Sequence, residues 1–301
     1  AQKSVKLAPQ DAEAHNNLGN TLKEVGKLDE ALACYNQAIT LKPDFAEAHF
    51  SMGITLKELG RLDEALASYN QTIALKPDFA EAQTNLGGLL RNLGRLDEAL
   101  ASYSKVIALK PNFAEGHDNL GITLKELGKL EEAIEAHNKA LSLKPDFAEA
   151  CYNIGNALID QDKLDEAIEA YNKALSLKPD YAEAYYNIGN TLKRQGKLDE
   201  AIEAYNKALA IKPDYAEAFN NMGNTLIEQG KLDGAIEAYN KALSLKPDYA
   251  EAYYNMGNAL IDQGKLDAAL DGYNKALSLN PDYAEAYNNK GVLLTDQGKV
   301  D

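Results

Sequence analysis

Asparagine recurs in this chain at a fixed interval. Asn17, Asn85, Asn119, Asn153, Asn187, Asn221, Asn255 and Asn289 are spaced by 34 residues or twice that, with Ser51 filling the one gap. Asn20, Asn156, Asn190, Asn224 and Asn258 follow three residues behind some of them. A carboxamide offers both a donor and an acceptor, so it can pair with a peptide group in both directions. A ladder of carboxamides can therefore hold an extended backbone and ignore its side chains. Tyr152, Tyr186 and Tyr254 stand beside this ladder, as do Ile159, Ile227 and Ile261. Aromatic and aliphatic surface next to paired amides suits a peptide groove.

No other constellation points to chemistry. The histidines His15, His49, His117 and His137 do not converge with other ligands within one or two turns, as a metal site requires. No nucleophile elbow, phosphate loop or paired-carboxylate pocket is present. The many carboxylates recur with the repeat and so serve fold or surface. No catalytic residue, metal or cofactor is expected, and the chain reads as a non-enzyme. Cys34 and Cys151 lie more than three repeats apart, too far for a bridge in a stacked array. They read as small packing residues in a reducing, cytoplasmic compartment. A net charge of −15 argues against nucleic acid, which needs a basic face. No run of 18 apolar residues exists to span a membrane, and no export leader opens the chain.

The elements that must position the ladder follow from the period. Full units start at Ala12, Ala46, Ala80, Ala114, Ala148, Ala182, Ala216 and Ala250, and a ninth begins at Ala284. Positions within a unit are numbered 1 to 34. Position 8 is always Gly, position 20 always Ala in the full units, and position 32 always Pro. Apolar residues at 3, 4, 7, 10 and 11 predict one helix, A, and those at 17, 20, 21, 24, 27, 28 and 30 a second, B. Gly at position 15, replaced once by Asp162, supplies the left-handed residue that ends helix A. Asp at position 33 and Glu at position 2, as in Asp180 and Glu183, predict a capping box at the start of helix A. In the first unit Gln10 stands in the cap position and Asp11 is the substitute. Tyr at position 24, from Tyr35 to Tyr273 with His137 once, reads as core.

An aromatic or His at position 4, Gly at 8, Leu at 11, Ala at 20, Tyr at 24, Ala at 27 and Pro at 32 resemble the tetratricopeptide repeat pattern over nearly the whole chain. The resemblance implies an all-α fold, a right-handed superhelix of stacked antiparallel helix pairs. It implies one array over 1–301, with a partial repeat at 1–11, eight full repeats over 12–283 and a partial ninth at 284–301. It also implies that helix A lines a concave groove with positions 2, 5, 6, 9, 12 and 13. On that basis the asparagines above, with Tyr152, Tyr186 and Tyr254, are the expected peptide-binding residues. The pattern is similar to the asparagine-ladder superhelix of O-GlcNAc transferases, which grips extended peptides. The first four units carry Lys23, Lys57, Arg91 and Lys125 at position 12, next to Glu24, Glu58, Asn92 and Glu126, a pattern that reads as a solvated face. The carboxylate clamp of chaperone-tail binders is not matched, since position 2 is Glu throughout and position 5 is never Lys.

The expected function is a protein-interaction scaffold for an extended peptide. Two alternatives remain open. One is a self-assembling array, joined end to end through half-repeats at Ala1–Leu7 and Ala284 onward. The other is a substrate-selecting region of a larger enzyme such as a glycosyltransferase.

Overall fold

The computed structural model describes residues 9–296, so Ala1–Leu7 lies outside the described residues. Seventeen α-helices, and no strand, occur among them. The chain divides into two compact units, Ala1–Asp146 and Phe147–Asp301. The first holds α1 (Ala12–Glu24), α2 (Leu28–Leu41), α3 (Ala46–Glu58), α4 (Leu62–Leu75), α5 (Ala80–Asn92), α6 (Leu96–Leu109), α7 (Ala114–Glu126) and α8 (Leu130–Leu143). The second holds α9 (Ala148–Asp160), α10 (Leu164–Leu177), α11 (Ala182–Arg194), α12 (Leu198–Ile211), α13 (Ala216–Glu228), α14 (Leu232–Leu245), α15 (Ala250–Asp262), α16 (Leu266–Leu279) and α17 (Ala284–Asp296). Odd-numbered helices are helix A and even-numbered ones helix B. Within each unit a helix B packs on its own helix A and on the next one.

The turn from A to B forms as its glycine predicts. Gly26 has φ of +77°. Its amide donates to the Lys23 carbonyl and the Lys27 amide to that of Leu22, both at 2.9 Å, the paired bonds of a Schellman ending. Gly60, Gly94, Gly128, Gly196, Gly230 and Gly264 repeat the conformation, and Asp162 adopts it at φ +60°.

The glycine at position 8 has a different task, which is to admit the tyrosine ring from position 24. A Cβ built on Gly189 would stand 2.5 Å from Tyr205 Cε1, and one on Gly155 at 2.5 Å from Tyr171. The rings of Tyr35, Tyr69, Tyr103, Tyr171, Tyr205, Tyr239 and Tyr273 are the largest fully buried side chains, beside position-20 alanines that are themselves sealed. Only glycine lets the ring approach so closely, and this contact locks helix B to helix A.

The capping box does not form. From α3 to α15, helix A has the position-34 aromatic as its N-cap, Phe45 in α3 and Tyr181 in α11, with no side-chain cap bond. Asp44 and Asp180 therefore stand one residue outside the cap and cannot reach the amides of the first turn. The exception is Asp11, whose Oδ1 accepts from the Glu13 amide at 2.9 Å. The position-2 glutamate pairs instead with the position-31 lysine of its own repeat, as in Lys76–Glu47 at 3.2 Å and Lys246–Glu217 at 3.0 Å. Glu47 is held below the usual carboxylate range by its own backbone amide and by Lys76. The same lysines lie over the position-34 rings, with Lys178 Nζ 4.6 Å from the Tyr181 centroid. The turn from B to the next A is thus held by lysine, carboxylate and aromatic ring together.

Candidate functional site

Helix A brings positions 6 and 9 to one face, and stacking brings the position-6 asparagine of one repeat against the position-9 asparagine of the repeat before it. Asn187 Nδ2 donates to Asn156 Oδ1 and to the Tyr152 hydroxyl, both at 3.0 Å. Asn221 donates likewise to Asn190 at 2.9 Å and Tyr186 at 2.8 Å. Asn289 donates to Asn258 at 3.0 Å and Tyr254 at 3.1 Å. Each position-9 oxygen in this unit is also reached from its own helix B: Tyr171 donates to Asn156, Tyr205 to Asn190, Tyr239 to Asn224 and Tyr273 to Asn258, at 2.9, 2.8, 2.7 and 2.6 Å. The expected binding asparagines therefore also tie one repeat to the next.

These bonds consume one half of each carboxamide, and Asn221 spends its oxygen as well, accepting from Asn220 at 3.3 Å. At position 6 the N–H groups are used, and at position 9 the oxygen. The N–H groups of Asn156 and Asn258, and the oxygens of Asn187 and Asn289, have no hydrogen-bond partner among the described residues. None of these atoms is among the sealed, unpartnered polar atoms. A free donor and a free acceptor thus meet at Asn156 with Asn187 and at Asn258 with Asn289.

The tyrosines at position 5 are half-buried. Tyr152 packs on Tyr181 with ring centroids 4.9 Å apart, Tyr186 on Tyr215 at 4.9 Å and Tyr254 on Tyr283 at 5.0 Å. Asn220 takes their place in repeat 7, and its Oδ1 accepts from Asn255 at 3.1 Å. Asn153 is half-buried at position 6 of α9.

The network is thinner in the first unit. Asn17 is exposed. Asn20 accepts from Tyr35 at 2.9 Å. Asn85 turns back to the Glu81 carbonyl at 2.9 Å. Ile54, Gly88 and Ile122 occupy position 9, so the acceptor is missing there. In repeat 4 a different pair fills the gap: His137 Nδ1 and Asp118 Oδ1 meet at 2.7 Å, with His137 fully buried. The sequence alone presents His137 and the position-24 tyrosines as packing residues. The signal for their polar role is coincidence within a repeat, since asparagine occurs at position 9 only in repeats that keep tyrosine at position 24.

The other histidines bond the preceding turn. His15 Nε2 lies 3.1 Å from the Pro9 carbonyl and His117 Nε2 2.9 Å from that of Pro111. Among the described residues no group of three or more His, Cys, Asp or Glu could hold a metal. Cys34 and Cys151 are both free thiols. No described helix is long and apolar enough to cross a membrane. The charges at positions 12 and 13 form ladders between repeats, with Lys193 3.1 Å from Glu228 and Arg91 3.8 Å from Glu126.

A family model described as TPR repeat matches residues 19–60, 123–162, 155–196, 189–230, 223–262 and 257–298. Models described as tetratricopeptide repeat match 50–112 and 1–33. The search of curated proteins finds no match. Among solved structures, YrrB, described as a TPR protein with an unusual peptide-binding site, is 26% identical with a TM-score of 0.51, over 63% of this chain and 97% of its own. MamA is 35% identical with a TM-score of 0.50, over 55% of this chain and 97% of its own. A chain of the APC/C hetero-tetramer Cut9-Hcn1 shares the fold at 17% identity and a TM-score of 0.63, over 89% of this chain and 52% of its own. With its helix pairs, its glycine-to-tyrosine contact inside each pair and these matches over most of its length, the chain belongs to the tetratricopeptide repeat family.

Proposed function

We propose that this protein is a non-catalytic interaction scaffold that holds an extended peptide segment along its helix A faces. The observation that supports this reading is the alternation of unused groups on the asparagines. Position 9 keeps its donors and position 6 its acceptor at the steps from Asn156 to Asn187 and from Asn258 to Asn289. An extended backbone presents a donor and an acceptor per residue and needs both. The inter-repeat bonds fix the orientation of these carboxamides before any peptide arrives, which lowers the entropic cost of binding. YrrB, a TPR protein with a peptide-binding site, adds support by likeness.

Linear peptides selected from a random display library, added to isotope-labelled protein, test the reading. The side-chain amide NMR signals of Asn156, Asn190 and Asn258 should move on binding. Selected peptides that bind and leave all three signals in place would overturn it.

End-to-end assembly is the second reading. It draws on α17, where Tyr287 and Val292 are exposed and a Cβ on Gly291 would meet nothing within 4 Å. Sedimentation over a wide concentration range separates the two, since a monomer at every concentration removes assembly.

A further inference from the structure

Repeat 3 keeps a set of donors and lacks the acceptor that serves them elsewhere. In repeat 5 the Asn156 oxygen accepts from Tyr171 and from Asn187. Repeat 3 offers the corresponding donors, the Tyr103 hydroxyl and the Asn119 carboxamide of the next helix A. At position 9, however, stands Gly88. Among the described residues neither the Tyr103 hydroxyl nor the Asn119 side chain has a hydrogen-bond partner. Tyr103 is 2% exposed, and its hydroxyl, unlike that of Tyr69, is not sealed. A Cβ on Gly88 would lie 3.5 Å from that hydroxyl, which therefore borders the space the glycine leaves.

Arg91 lies one turn further along the same helix. Its side chain is 24% exposed, and its nearest carboxylate, Glu126, is 3.8 Å from Nε, beyond hydrogen-bond length. Its Nη1 is sealed and unpartnered. Repeat 2 shows the contrast: Ile54 fills position 9, and the Tyr69 hydroxyl is sealed as well as unpartnered. Repeat 3 alone of the first four also has Arg rather than Lys at position 12 and Asn92 rather than Glu at position 13. Room, unpaired donors, a planar fork and a lost negative charge coincide in one repeat. The sealed Arg91 Nη1 is a donor left without an acceptor, which is costly, and a guanidinium matches an oxyanion in two directions.

We propose that the space at Gly88 is a carboxylate subsite. One ligand oxygen takes the place that a position-9 asparagine oxygen holds in the second unit, between Tyr103 and Asn119, and the other faces Arg91. This rests on the peptide-scaffold reading and narrows it, because the bound segment must carry a carboxylate where it crosses repeat 3. A neutral amide oxygen would serve Tyr103 and Asn119 but leave the Arg91 charge unmatched. The position-2 glutamates, which by sequence would repel such a ligand, are paired with lysines here, Glu81 with Lys110 and Glu115 with Lys144. Glu126 competes for Arg91 at its longer distance.

Acetate is the probe. The Arg91 Nε–H and Asn119 carboxamide NMR signals are followed as sodium acetate replaces sodium chloride at constant ionic strength. The wild type should show a saturable shift. Gly88→Asn supplies the acceptor from the chain itself and should lose the response while raising the thermal midpoint. Arg91→Gln, checked for helicity, should weaken the response by roughly tenfold or more, as the loss of a charge-assisted pair implies. N-acetylglutamic acid α-amide carries only a side-chain carboxylate and N-acetylalanine only a terminal one, so the tighter of the two identifies the source. No saturable shift, or an undiminished one in Gly88→Asn, overturns the subsite. Peptide capture without an acetate response overturns the subsite alone. An acetate response without capture of any extended peptide overturns the scaffold reading alone.

Discussion

The carboxamide of Asn187 donates to that of Asn156 at 3.0 Å, from one repeat to the one before it. The bond makes the position-6 asparagine a structural residue as well as a binding candidate. Asn187→Ala and Asn221→Ala each remove two inter-repeat bonds, worth about 1 kcal/mol apiece. A gain of up to ~0.7 kcal/mol in helix propensity offsets part of this. Each variant should melt earlier than wild type. Asn17→Ala, at an exposed helical site with no side-chain bond to lose, should melt at or slightly above wild type, as calorimetry can show.

Position 8 should divide cleanly by whether an aromatic ring from position 24, tyrosine or His137, is present. Gly189→Ala places a methyl group 2.5 Å from Tyr205 Cε1 and should cost on the order of 1–3 kcal/mol through overpacking. Gly291→Ala meets nothing within 4 Å and should gain up to ~1 kcal/mol in helix propensity. Thermal melts of the two variants should shift in opposite directions.

Asp162 sets two effects against each other. Its φ of +60° costs on the order of 1 kcal/mol relative to glycine. Its Oδ1 meets Arg194 at 2.7 Å with the Asp162 side chain 80% exposed, and such pairs are worth about 0–1 kcal/mol. Asp162→Gly should therefore raise the thermal midpoint slightly. The gain should grow in high salt, which screens the pair. A fall in midpoint at every salt concentration would show that the pair outweighs the strain.

Alkaline pH should loosen the first unit through its tyrosines. Burial pushes the Tyr35 and Tyr69 hydroxyls up to about 12 from an ordinary 10.0. The folded protein thus holds these protons more tightly than the unfolded chain. Their contribution is complete below about pH 10 and is lost as pH rises through about 12. Ultraviolet titration of tyrosinate should show a late-ionising fraction that coincides with loss of helical circular dichroism.

Much of the fold is legible in the sequence because each repeat is a local unit repeated in strict register. The glycine turn at position 15 and the proline at position 32 follow from short spacing, whereas the contact of position 8 with the position-24 ring is visible only in the structure. The start of helix A differs from the sequence expectation by one residue. Asp180 has the right chemistry for a cap, but Tyr181 holds that place because its ring must seal the turn. The asparagine wiring is legible only as a ladder. Its partners lie 31 and 35 residues apart, a separation closed by stacking rather than by helical spacing. Gly88 carries no signal alone, and its meaning comes from the Tyr103 hydroxyl beside it and from the register of Asn119 and Arg91 in the neighbouring positions.

The most direct test of the peptide scaffold separates the framework role of the position-9 asparagines from their binding role. Asn156→Asp, Asn190→Asp and Asn258→Asp together keep the oxygen that accepts from the neighbouring tyrosine and asparagine, and remove the unused donors. Asn172→Asp, Asn206→Asp and Asn274→Asp add the same charge at exposed positions on helix B. Fluorescence anisotropy of a library-selected peptide is measured against both variants. The scaffold reading predicts a loss of at least about tenfold in affinity, ~1.4 kcal/mol, for the helix A variant. It predicts wild-type affinity for the helix B variant. Equal affinity for both would contradict it.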